Sequence, residues 1–346
     1  MVINLIFSMV LAYPSNTATN YRMPSIFTTL SNRLLDASVL YSFDQSGYHR
    51  HAKSFNTADL DVDMSGKVVL ITGANSGLGK ASALAIASKN ATVYLLCRNP
   101  QRGEQARLDI IQKTQNPNVH LKIIDLSDLL SIQRFSASFP ERQIDVLIHN
   151  AGVLPLQLQT SPQGLEMTYA TNIVGPQLLT FCLWDRLEHG RMILVSSGGM
   201  YPVKLNNTEL RQPPSPFNGV TAYAQTKRAQ VILTELWARK GEAQNIRVHS
   251  MHPGWADTPG VEHSLPLFWN RMQNRLRTPQ QGADTIVWLA LSKKAGQSSG
   301  QFWFDRKIRA THLFPTKERA ADRKMLWEMI EEDINKSLPH FKSNLS

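Results

Sequence analysis

Cysteine is scarce in this chain, which holds only Cys97 and Cys182 among its 346 residues. Two isolated cysteines exclude a disulfide framework and a cysteine-based zinc site, and we predict no metal site of any kind. They also favour a reducing compartment. The cytoplasm is the simplest such assignment, and an organelle or a membrane-associated location is the alternative.

Long apolar runs are missing as well, because no stretch reaches the roughly 18 residues that a membrane-spanning helix requires. Residues 1–13 are apolar but lack a preceding basic region. They are therefore a poor signal sequence, an interfacial anchor that makes peripheral membrane contact, or an extension without a role. Residues 38–55 predict either a loose helix that leads into the core or a partly disordered extension.

No cluster of lysine and arginine with interleaved aromatic residues is present, which excludes the usual nucleic-acid surfaces. The net charge is nevertheless +10, and the excess lies beyond residue 65. An anionic cofactor or an anionic membrane surface accounts for it better. With no repeats and no shift in composition along the body, we predict an N-terminal extension over residues 1–65 and one domain over 66–346.

A glycine cluster follows the first predicted strand. Residues 67–72 are a β-branched apolar run, which is typical of a buried parallel strand, and Gly73, Gly77 and Gly79 come directly after it. Such glycines let the backbone turn sharply and let a pyrophosphate approach the amides of a helix N-terminus. An apolar-periodic helix follows, and this context favours a dinucleotide site.

The end of the second predicted strand indicates which dinucleotide is bound. Residues 92–97 end at Arg98, which lies 19 positions beyond Gly79. Folds that bind NAD usually place an acidic residue there, and an arginine suits the 2′-phosphate of NADP instead. We therefore predict NADP(H) as the cofactor. The alternative is an ordinary solvated arginine.

Strands and helices continue to alternate along the chain. Strands are predicted at 119–124, 144–148, 192–195, 246–252 and 301–304, and helices at 102–114, 132–139, 168–183, 281–291 and 318–338. This pattern predicts an α/β fold, a Rossmann-type doubly wound parallel sheet in a single domain. Residues 255–280 have no periodicity and predict a lid or substrate loop, and Asp305-Arg306 predicts an ion pair that fixes the last strand.

Tyr223 and Lys227 are four positions apart, so on a helix they share one face. A nearby cation favours the phenolate, and we therefore expect the pKa of Tyr223 to fall below its usual value of about 10. A tyrosine tuned in this way can exchange a proton with a carbonyl oxygen. Taken alone, the pair would more simply be a surface contact, and the upstream dinucleotide motifs favour catalysis.

Several motifs in order along residues 66–305 resemble the short-chain dehydrogenase/reductase superfamily. They are Thr72–Gly79, Asp125-Leu126, Asn150-Ala151-Gly152, Asn172, Ser197, Tyr223 with Lys227, and Pro253-Gly254. Further stretches resemble one subfamily within it, and these are Ser46-Gly47-Tyr48, Ser196–Met200, residues 251–260 and 281–285, and Asp305-Arg306-Lys307.

The resemblance implies a role for each matched residue. Tyr223 is the acid in reduction and the base in oxidation, and Lys227 lowers its pKa and holds the nicotinamide ribose. Ser197 binds the substrate oxygen, and Asn172 places a water that relays protons to Lys227. The implied cofactor contacts are Thr72, Gly73, Ser76, Gly77, Leu78 and Gly79 at the pyrophosphate, Arg98 at the adenosine phosphate, Asp125 and Leu126 at the adenine, Asn150 at the ribose beside Ala151 and Gly152, and Pro253, Gly254 and Thr258 at the nicotinamide.

Two departures from the superfamily pattern bear on these roles. Ser197 and Tyr223 are 26 positions apart, about double the usual spacing, because of an insertion at residues 202–219 like that of retinol-dehydrogenase-like members. This leaves Ser196 as an alternative to Ser197. His149 also stands where a second asparagine is usual, which we interpret as a packing change.

The sequence thus predicts an NADP-dependent oxidoreductase that interconverts a carbonyl and an alcohol through Ser197, Tyr223, Lys227 and Asn172. The apolar content of residues 255–280 suggests a lipophilic small-molecule substrate, and the resemblance implies a homo-oligomer. The first alternative is a non-catalytic NADP-binding sensor or partner protein on the same fold. A sugar-nucleotide epimerase ranks last, because the region after Thr258 is short for its substrate.

Overall fold

The computed structural model describes residues 39–313 and 315–341, so the apolar segment 1–13 and its predicted roles lie outside the described residues. Within them the Rossmann prediction is confirmed by one sheet, in the order β3-β2-β1-β4-β5-β6-β7-β8. The strands are β1 Val68–Thr72, β2 Thr92–Cys97, β3 Val119–Ile123, β4 Val146–His149, β5 Arg191–Val195, β6 Arg247–Met251, β7 Gln301–Phe304 and β8 Lys307–Arg309.

The chain crosses from one side of β1 to the other after β3, because β1 pairs with both β2 and β4. All pairs from β3 through β7 are parallel, and this brings the carboxyl ends of these strands to one edge of the sheet. Ligands of doubly wound sheets bind at that edge, near the point where the strand order reverses. The predicted site residues that follow β1, β2, β4, β5 and β6 therefore converge there.

Helices cover both faces of the sheet, and each face has its own apolar core. The longer helices are Gly77–Ala87, Pro100–Thr114, Leu129–Ser138, Gly175–Leu183, Gly219–Lys240, Pro279–Leu291 and Ala320–Ser337. Shorter ones are Val39–Phe43, Gln45–Ala52, Asn207–Arg211, Pro259–Ser264 and Pro266–Met272. No helix in the described part of the chain combines the length and the apolarity needed to cross a membrane.

The helix predicted over residues 168–183 is interrupted. A short helical turn at Met167–Tyr169 leads into a π-helical turn at Ala170–Val174, and regular helix resumes at Gly175–Leu183. Pro176 has no amide hydrogen to donate, so the helix lacks one backbone hydrogen bond here. π-turns occur frequently at functional sites. Asn172 lies inside this turn and is fully buried.

The sequence did not predict β8, which is antiparallel to β7. The two strands are joined by Asp305 and Arg306, whose φ angles are +48° and +56°. Both central residues of a type I′ hairpin turn adopt positive φ, and the usual signature for it is Asn-Gly or Asp-Gly. Because neither turn residue is a glycine, the sequence does not contain this hairpin signature.

The predicted ion pair between Asp305 and Arg306 is wrong, because each residue has another partner. Asp305 receives two hydrogen bonds from Arg277, of 2.6 and 2.8 Å, and lies 2.6 Å from His51 Nδ1. Arg306 donates to Asp284 at 2.8 and 2.6 Å. The left-handed turn directs the two neighbouring side chains to different partners.

Candidate active site

The glycine-rich turn after β1 can accommodate a pyrophosphate. Gly73 and Gly77 have φ angles of +66° and +51°, and a Cβ on Gly79 would lie 2.4 Å from the Gly73 carbonyl oxygen. Ser76 occupies the N-cap of helix Gly77–Ala87, yet its side chain makes no capping hydrogen bond. The Ser76 side chain therefore does not occupy the amides of the first helical turn, which is where anions bind at a helix N-terminus.

Two predicted ribose and pyrophosphate residues hold the neighbouring strands together. The Thr72 hydroxyl accepts hydrogen bonds of 3.0 Å from the backbone amides of both Asn150 and Ala151. Asn150 Nδ2 donates to the Thr72 carbonyl at 2.9 Å. The side chains of Thr72 and Asn150 thus join the end of β1 to the end of β4.

The residues predicted at the adenosine end lie on the next two strand ends. The Gly73 amide donates to the Leu96 carbonyl at 2.8 Å, so the end of β2 is adjacent to the glycine turn, and Arg98 follows it exposed. Asp125 accepts 2.9 and 2.7 Å hydrogen bonds from the amide and hydroxyl of Ser127. The next residue, Leu126, is buried. Of the residues predicted at the adenosine end, Arg98 is the one that carries an exposed positive charge.

The residues predicted at the nicotinamide end come from the loop after β6. Thr258 caps the short helix Pro259–Ser264 by accepting a 3.3 Å hydrogen bond from the Val261 amide. Its methyl group would lie 3.1 Å from a Cβ on Gly77. The loop after β6 therefore reaches across the sheet edge to the glycine turn.

Tyr223, Ser197 and Lys227 come together where β5 meets helix Gly219–Lys240. The Ser197 hydroxyl lies close enough to the Tyr223 phenol to act on its pKa, and Lys227 Nζ lies 5.2 Å from the centre of the Tyr223 ring. The Lys227 side chain is almost fully buried and donates to the Val195 carbonyl at 2.8 Å. A phenol and a hydroxyl thus converge above an amine.

The expected fall in the pKa of Tyr223 is wrong. Burial raises the pKa of this phenol to about 12, and the neighbouring Ser197 hydroxyl acts in the opposite direction. Burial also lowers the pKa of the Lys227 amine to about 7. Lys227 is buried and Tyr223 is partly buried, and desolvation of the two groups outweighs the attraction between their charged forms.

The two candidate serines differ in what their hydroxyls do. Ser196 is buried, and its Oγ donates to the Lys227 carbonyl at 2.8 Å, which fixes the helix to the strand end. The Ser197 Oγ accepts a 3.2 Å hydrogen bond from the Gly199 amide and is partly exposed. This difference favours Ser197 as the group that receives a substrate oxygen.

Gln230 is a site residue that the sequence analysis missed. Its Oε1 accepts a 3.1 Å hydrogen bond from Lys227 Nζ, and its Nε2 donates to the Asn172 carbonyl at 3.0 Å. The side chain thus joins two residues that we expected a water to connect. Asn172 itself is held by its own amide group, which bonds to both backbone groups of Val153 and to Thr226. The only signal for Gln230 was its position one turn after Lys227.

We expect Gln230→Leu to lower the free energy of unfolding by about 2–3 kcal/mol, because a buried carbonyl and a buried amine each lose a partner. Chemical denaturation measures this loss. Gln112→Leu, at an exposed position on helix Pro100–Thr114, is the control and should change stability by less than about 0.5 kcal/mol. Equal effects of the two substitutions would contradict the bridge.

Comparison with known proteins places these residues in a family. The family model described as short chain dehydrogenase matches residues 67–266. Dehydrogenase/reductase SDR family member 12 of Homo sapiens is 45% identical over 86% of this chain and 95% of that protein, which confirms the subfamily resemblance. Retinol dehydrogenase 12 of Homo sapiens is 33% identical over 78% of this chain and 86% of that protein.

Solved structures agree on the fold. An uncharacterized protein from Mycobacterium Paratuberculosis superposes with a TM-score of 0.66 at 26% identity, over 81% of this chain and 97% of that one. A short chain dehydrogenase from Escherichia coli CFT073, complexed with NADPH, gives a TM-score of 0.58 at 22% identity over 73% of this chain and 100% of that one.

Proposed function

Since the chain belongs to the short-chain dehydrogenase/reductase family, we propose that this oxidoreductase is NADP-dependent and interconverts a carbonyl and an alcohol. The observation that carries the proposal is that the Tyr223 phenol lies beside the Ser197 hydroxyl and 5.2 Å, at its ring centre, from the buried amine of Lys227. A sensor that only bound a dinucleotide would have no need of this phenol.

The residues around the glycine turn support NADP(H) as the cofactor. The first-turn amides of helix Gly77–Ala87, which the Ser76 side chain does not cap, suit the pyrophosphate. The exposed guanidinium of Arg98 suits a 2′-phosphate. A structural neighbour is complexed with NADPH. When bound, the nicotinamide would supply or accept the hydride, and the protein's own groups manage the proton and the orientation.

The protonation states favour proton donation by Tyr223. With a pKa of about 12, the phenol is protonated near neutral pH, which is the form that acts as a general acid in carbonyl reduction. Ser197 donates a hydrogen bond to the same substrate oxygen. The pKa of Lys227 is about 7, so its charged ammonium form can stabilise the phenolate and can return a proton to Tyr223.

Gln230, itself bonded to the Asn172 carbonyl, orients the Lys227 amine for this role. Lys227 Nζ is held between the Val195 carbonyl at 2.8 Å and Gln230 Oε1 at 3.1 Å. A Cβ on Gly152 would lie 3.4 Å from this Nζ, so the loop after β4 passes close to the amine. In this arrangement Gln230 holds the position at which a relay water was expected.

We propose a lipophilic substrate. Three leucines are strongly exposed on the segments that follow β4 and β6, and their exposed fractions are 61% for Leu156, 58% for Leu158 and 76% for Leu267. A relative bears the name of a lipophilic alcohol, retinol. Homo-oligomerisation and peripheral membrane contact, both expected from the sequence, belong to this proposal as well.

NADPH oxidation by the purified protein, measured against a panel of aldehydes and ketones with NADH run in parallel, tests the proposal. We expect turnover with NADPH and faster turnover as the carbonyl compounds become more apolar. NADPH binding without turnover on any compound would favour the sensor alternative. Turnover that prefers NADH would contradict NADP(H) and leave the catalytic assignment standing.

We expect Arg98→Ala to weaken NADPH binding by about 10- to 100-fold, because it removes charge-assisted hydrogen bonds to a phosphate. NADH lacks that phosphate, so its affinity should stay the same. Titration of both nucleotides measures the effect. Arg142→Ala is a matched control, since Arg142 is exposed but precedes β4 at the opposite edge of the sheet. Equal losses for NADPH and NADH would refute phosphate recognition by Arg98.

A further inference from the structure

We propose that the N-terminal helix pair, Val39–Phe43 and Gln45–Ala52, positions the two loops that form the substrate and nicotinamide end of the site. These loops are the serine loop, residues 196–200, and the Thr258 loop, residues 253–277. Neither the family match, which begins at residue 67, nor the family's catalytic residues include this helix pair. The part of the inference that concerns nicotinamide rests on the proposed function, and the part that concerns loop position does not.

The helix pair binds both ends of the Thr258 loop through backbone hydrogen bonds. The Trp255 amide donates to the Phe43 carbonyl at 2.8 Å, and the Gln45 amide donates to the Arg275 carbonyl at 2.9 Å. Between these two bonds, the buried carboxylate of Asp44 accepts a 3.0 Å hydrogen bond from Arg275 Nε. The two ends of the loop are thus held on either side of one residue of the helix pair.

The neck of the Thr258 loop, where residues 255–257 meet Arg277, is closed by backbone hydrogen bonds and is also bonded to the helix pair. Arg277 pairs with Trp255 and Asp257 through backbone hydrogen bonds of 2.8 Å each. Its fully buried guanidinium donates to the Ser42 carbonyl at 2.9 Å and to the Asp44 carbonyl at 3.2 Å. An arginine that satisfies carbonyls of the helix pair as well as a carboxylate allows the neck little movement.

Asp305 brings a third element to this cluster. Its carboxylate accepts from Arg277 at 2.6 and 2.8 Å and lies 2.6 Å from His51 Nδ1, on the second helix of the pair. These interactions hold the pKa of Asp305 at about 2 despite burial that would raise it. The negative charge is therefore permanent at neutral pH and joins the end of β7, the loop neck and the helix pair.

Phe43 extends the contact to the serine loop. A Cβ on Gly198, the residue after Ser197, would lie 2.4 Å from Phe43 Cε2. The same ring packs 4.5 Å from His252 and 5.2 Å from Phe304, measured between ring centroids. One aromatic side chain of the helix pair thus supports the backbone next to the candidate catalytic serine.

The motif Ser46-Gly47-Tyr48 now has a physical explanation that the catalytic set did not provide. The Ser46 hydroxyl donates to Asp44 Oδ1 at 2.7 Å, and the Tyr48 ring lies 5.5 Å from the Arg277 guanidinium carbon. A Cβ on Gly47 would lie 2.1 Å from the Ser42 carbonyl oxygen, so only glycine allows the two short helices to pack this tightly. All three residues shape the surface that holds the Thr258 loop.

Hydrogen exchange by mass spectrometry, on the full chain without nucleotide and combined with NADPH titration, tests this inference. We expect Asp44→Asn and Gly47→Ala each to speed exchange about tenfold in peptides covering residues 196–200 and 253–277, since each weakens a charged or close-packed contact. Exchange in β1 and β4 should not change. NADPH affinity should fall about tenfold in both variants. Asp63→Asn, whose carboxylate bonds to Ser65 and Asn90 outside the loops, is the matched control and should change neither measurement.

Unchanged exchange in the two loops would overturn the inference. Faster exchange spread uniformly over the sheet would overturn it too, because the helix pair would then contribute only to global stability. Faster loop exchange with unchanged NADPH affinity would refute the role of the helix pair at the nicotinamide end. Failure of the unmodified protein to bind NADPH would instead count against the proposed function, while the exchange data would still decide whether the helix pair positions the loops.

Discussion

Tyr223→Phe should reduce carbonyl reduction by about 10²- to 10⁴-fold in kcat, because the substitution removes the general acid and little else. Tyr223 Oη is the one polar atom of this side chain, and Ser197, the proposed partner for the substrate oxygen, is close enough to act on its pKa. A loss of 10³ corresponds to about 4 kcal/mol of transition-state stabilisation. Steady-state NADPH oxidation, with the best substrate from the carbonyl panel, measures the change.

The expected loss is specific to catalysis. NADPH affinity should change by less than about threefold, and the free energy of unfolding should change by about 1 kcal/mol, the usual contribution of one hydrogen bond. Tyr94→Phe is the control, because that phenol lies on β2 and bonds to Glu141, and neither residue belongs to the candidate site. A Tyr223→Phe protein with wild-type kcat would exclude Tyr223 as the acid, whereas a parallel loss in Tyr94→Phe would indicate general damage to the fold.

The fold was predictable because buried parallel strands leave a strong local signal. The runs 67–72 and 92–97 contain almost nothing but β-branched and aliphatic residues, and they became β1 and β2 within one residue. Gly73 and Gly77, where the backbone has positive φ, were likewise predictable, because glycine after a strand indicates a sharp turn. Short edge elements such as β8 were not predictable, because three residues in a hairpin without glycine carry no pattern.

The composition of the candidate site was predictable, but its electrostatics were not. The spacing of four positions from Tyr223 to Lys227 indicates a shared helix face, yet it does not indicate which groups lose water when the helix packs. Burial raises the pKa of the phenol and lowers that of the amine, which is the opposite of what two charges in water would do. Gln230 was missed for a related reason. It contacts Asn172, which lies in the π-turn of another helix, and that contact forms only when the two helices pack.

The contacts of the N-terminal helix pair could not be predicted because they join residues more than 200 positions apart. Asp44 and Arg275 are ordinary charges in the sequence, and Asp305 was predicted to pair with its neighbour Arg306. Only the folded chain shows that Arg277 is buried among carbonyls of the helix pair and the Asp305 carboxylate. Ion pairs of this kind depend on tertiary structure, which leaves no local pattern.

Acidification should destabilise the protein through three buried histidines. Burial lowers the pKa of His149 and His252 from 6.5 to about 3 and that of His249 to about 4. Above pH 6.5 these rings are neutral in both folded and unfolded chains, so they add no pH dependence. Below it the unfolded chain binds protons that the folded chain cannot, and stability is lost as the pH falls toward the folded values. The loss should be about 4 kcal/mol between about pH 7 and about pH 5.5.

The surroundings of the three rings explain why no neighbour fully offsets this loss. His149 Nε2 faces the Thr180 hydroxyl at 2.9 Å, and His249 lies between the Ala295 carbonyl and the Trp303 indole nitrogen, with Arg191 nearby opposing protonation. His252 is stacked 4.0 Å from Phe304, and the attraction of Asp305 is opposed by Arg277 and Arg309. Each ring is therefore stable only in its neutral form.

Urea denaturation across this pH range, monitored by tryptophan fluorescence, measures the expected loss. His149→Asn should remove about one third of the pH dependence, because one of three titrating groups is gone while an amide still faces Thr180. His189→Asn, at a side chain that is 71% exposed, should retain all of it. Because a folded domain is typically stable by only about 5–15 kcal/mol, the unmodified protein should lose a large part of its stability by about pH 5.5. A free energy of unfolding that stayed constant from about pH 7 to about pH 5.5 would show that water reaches these rings in the folded state.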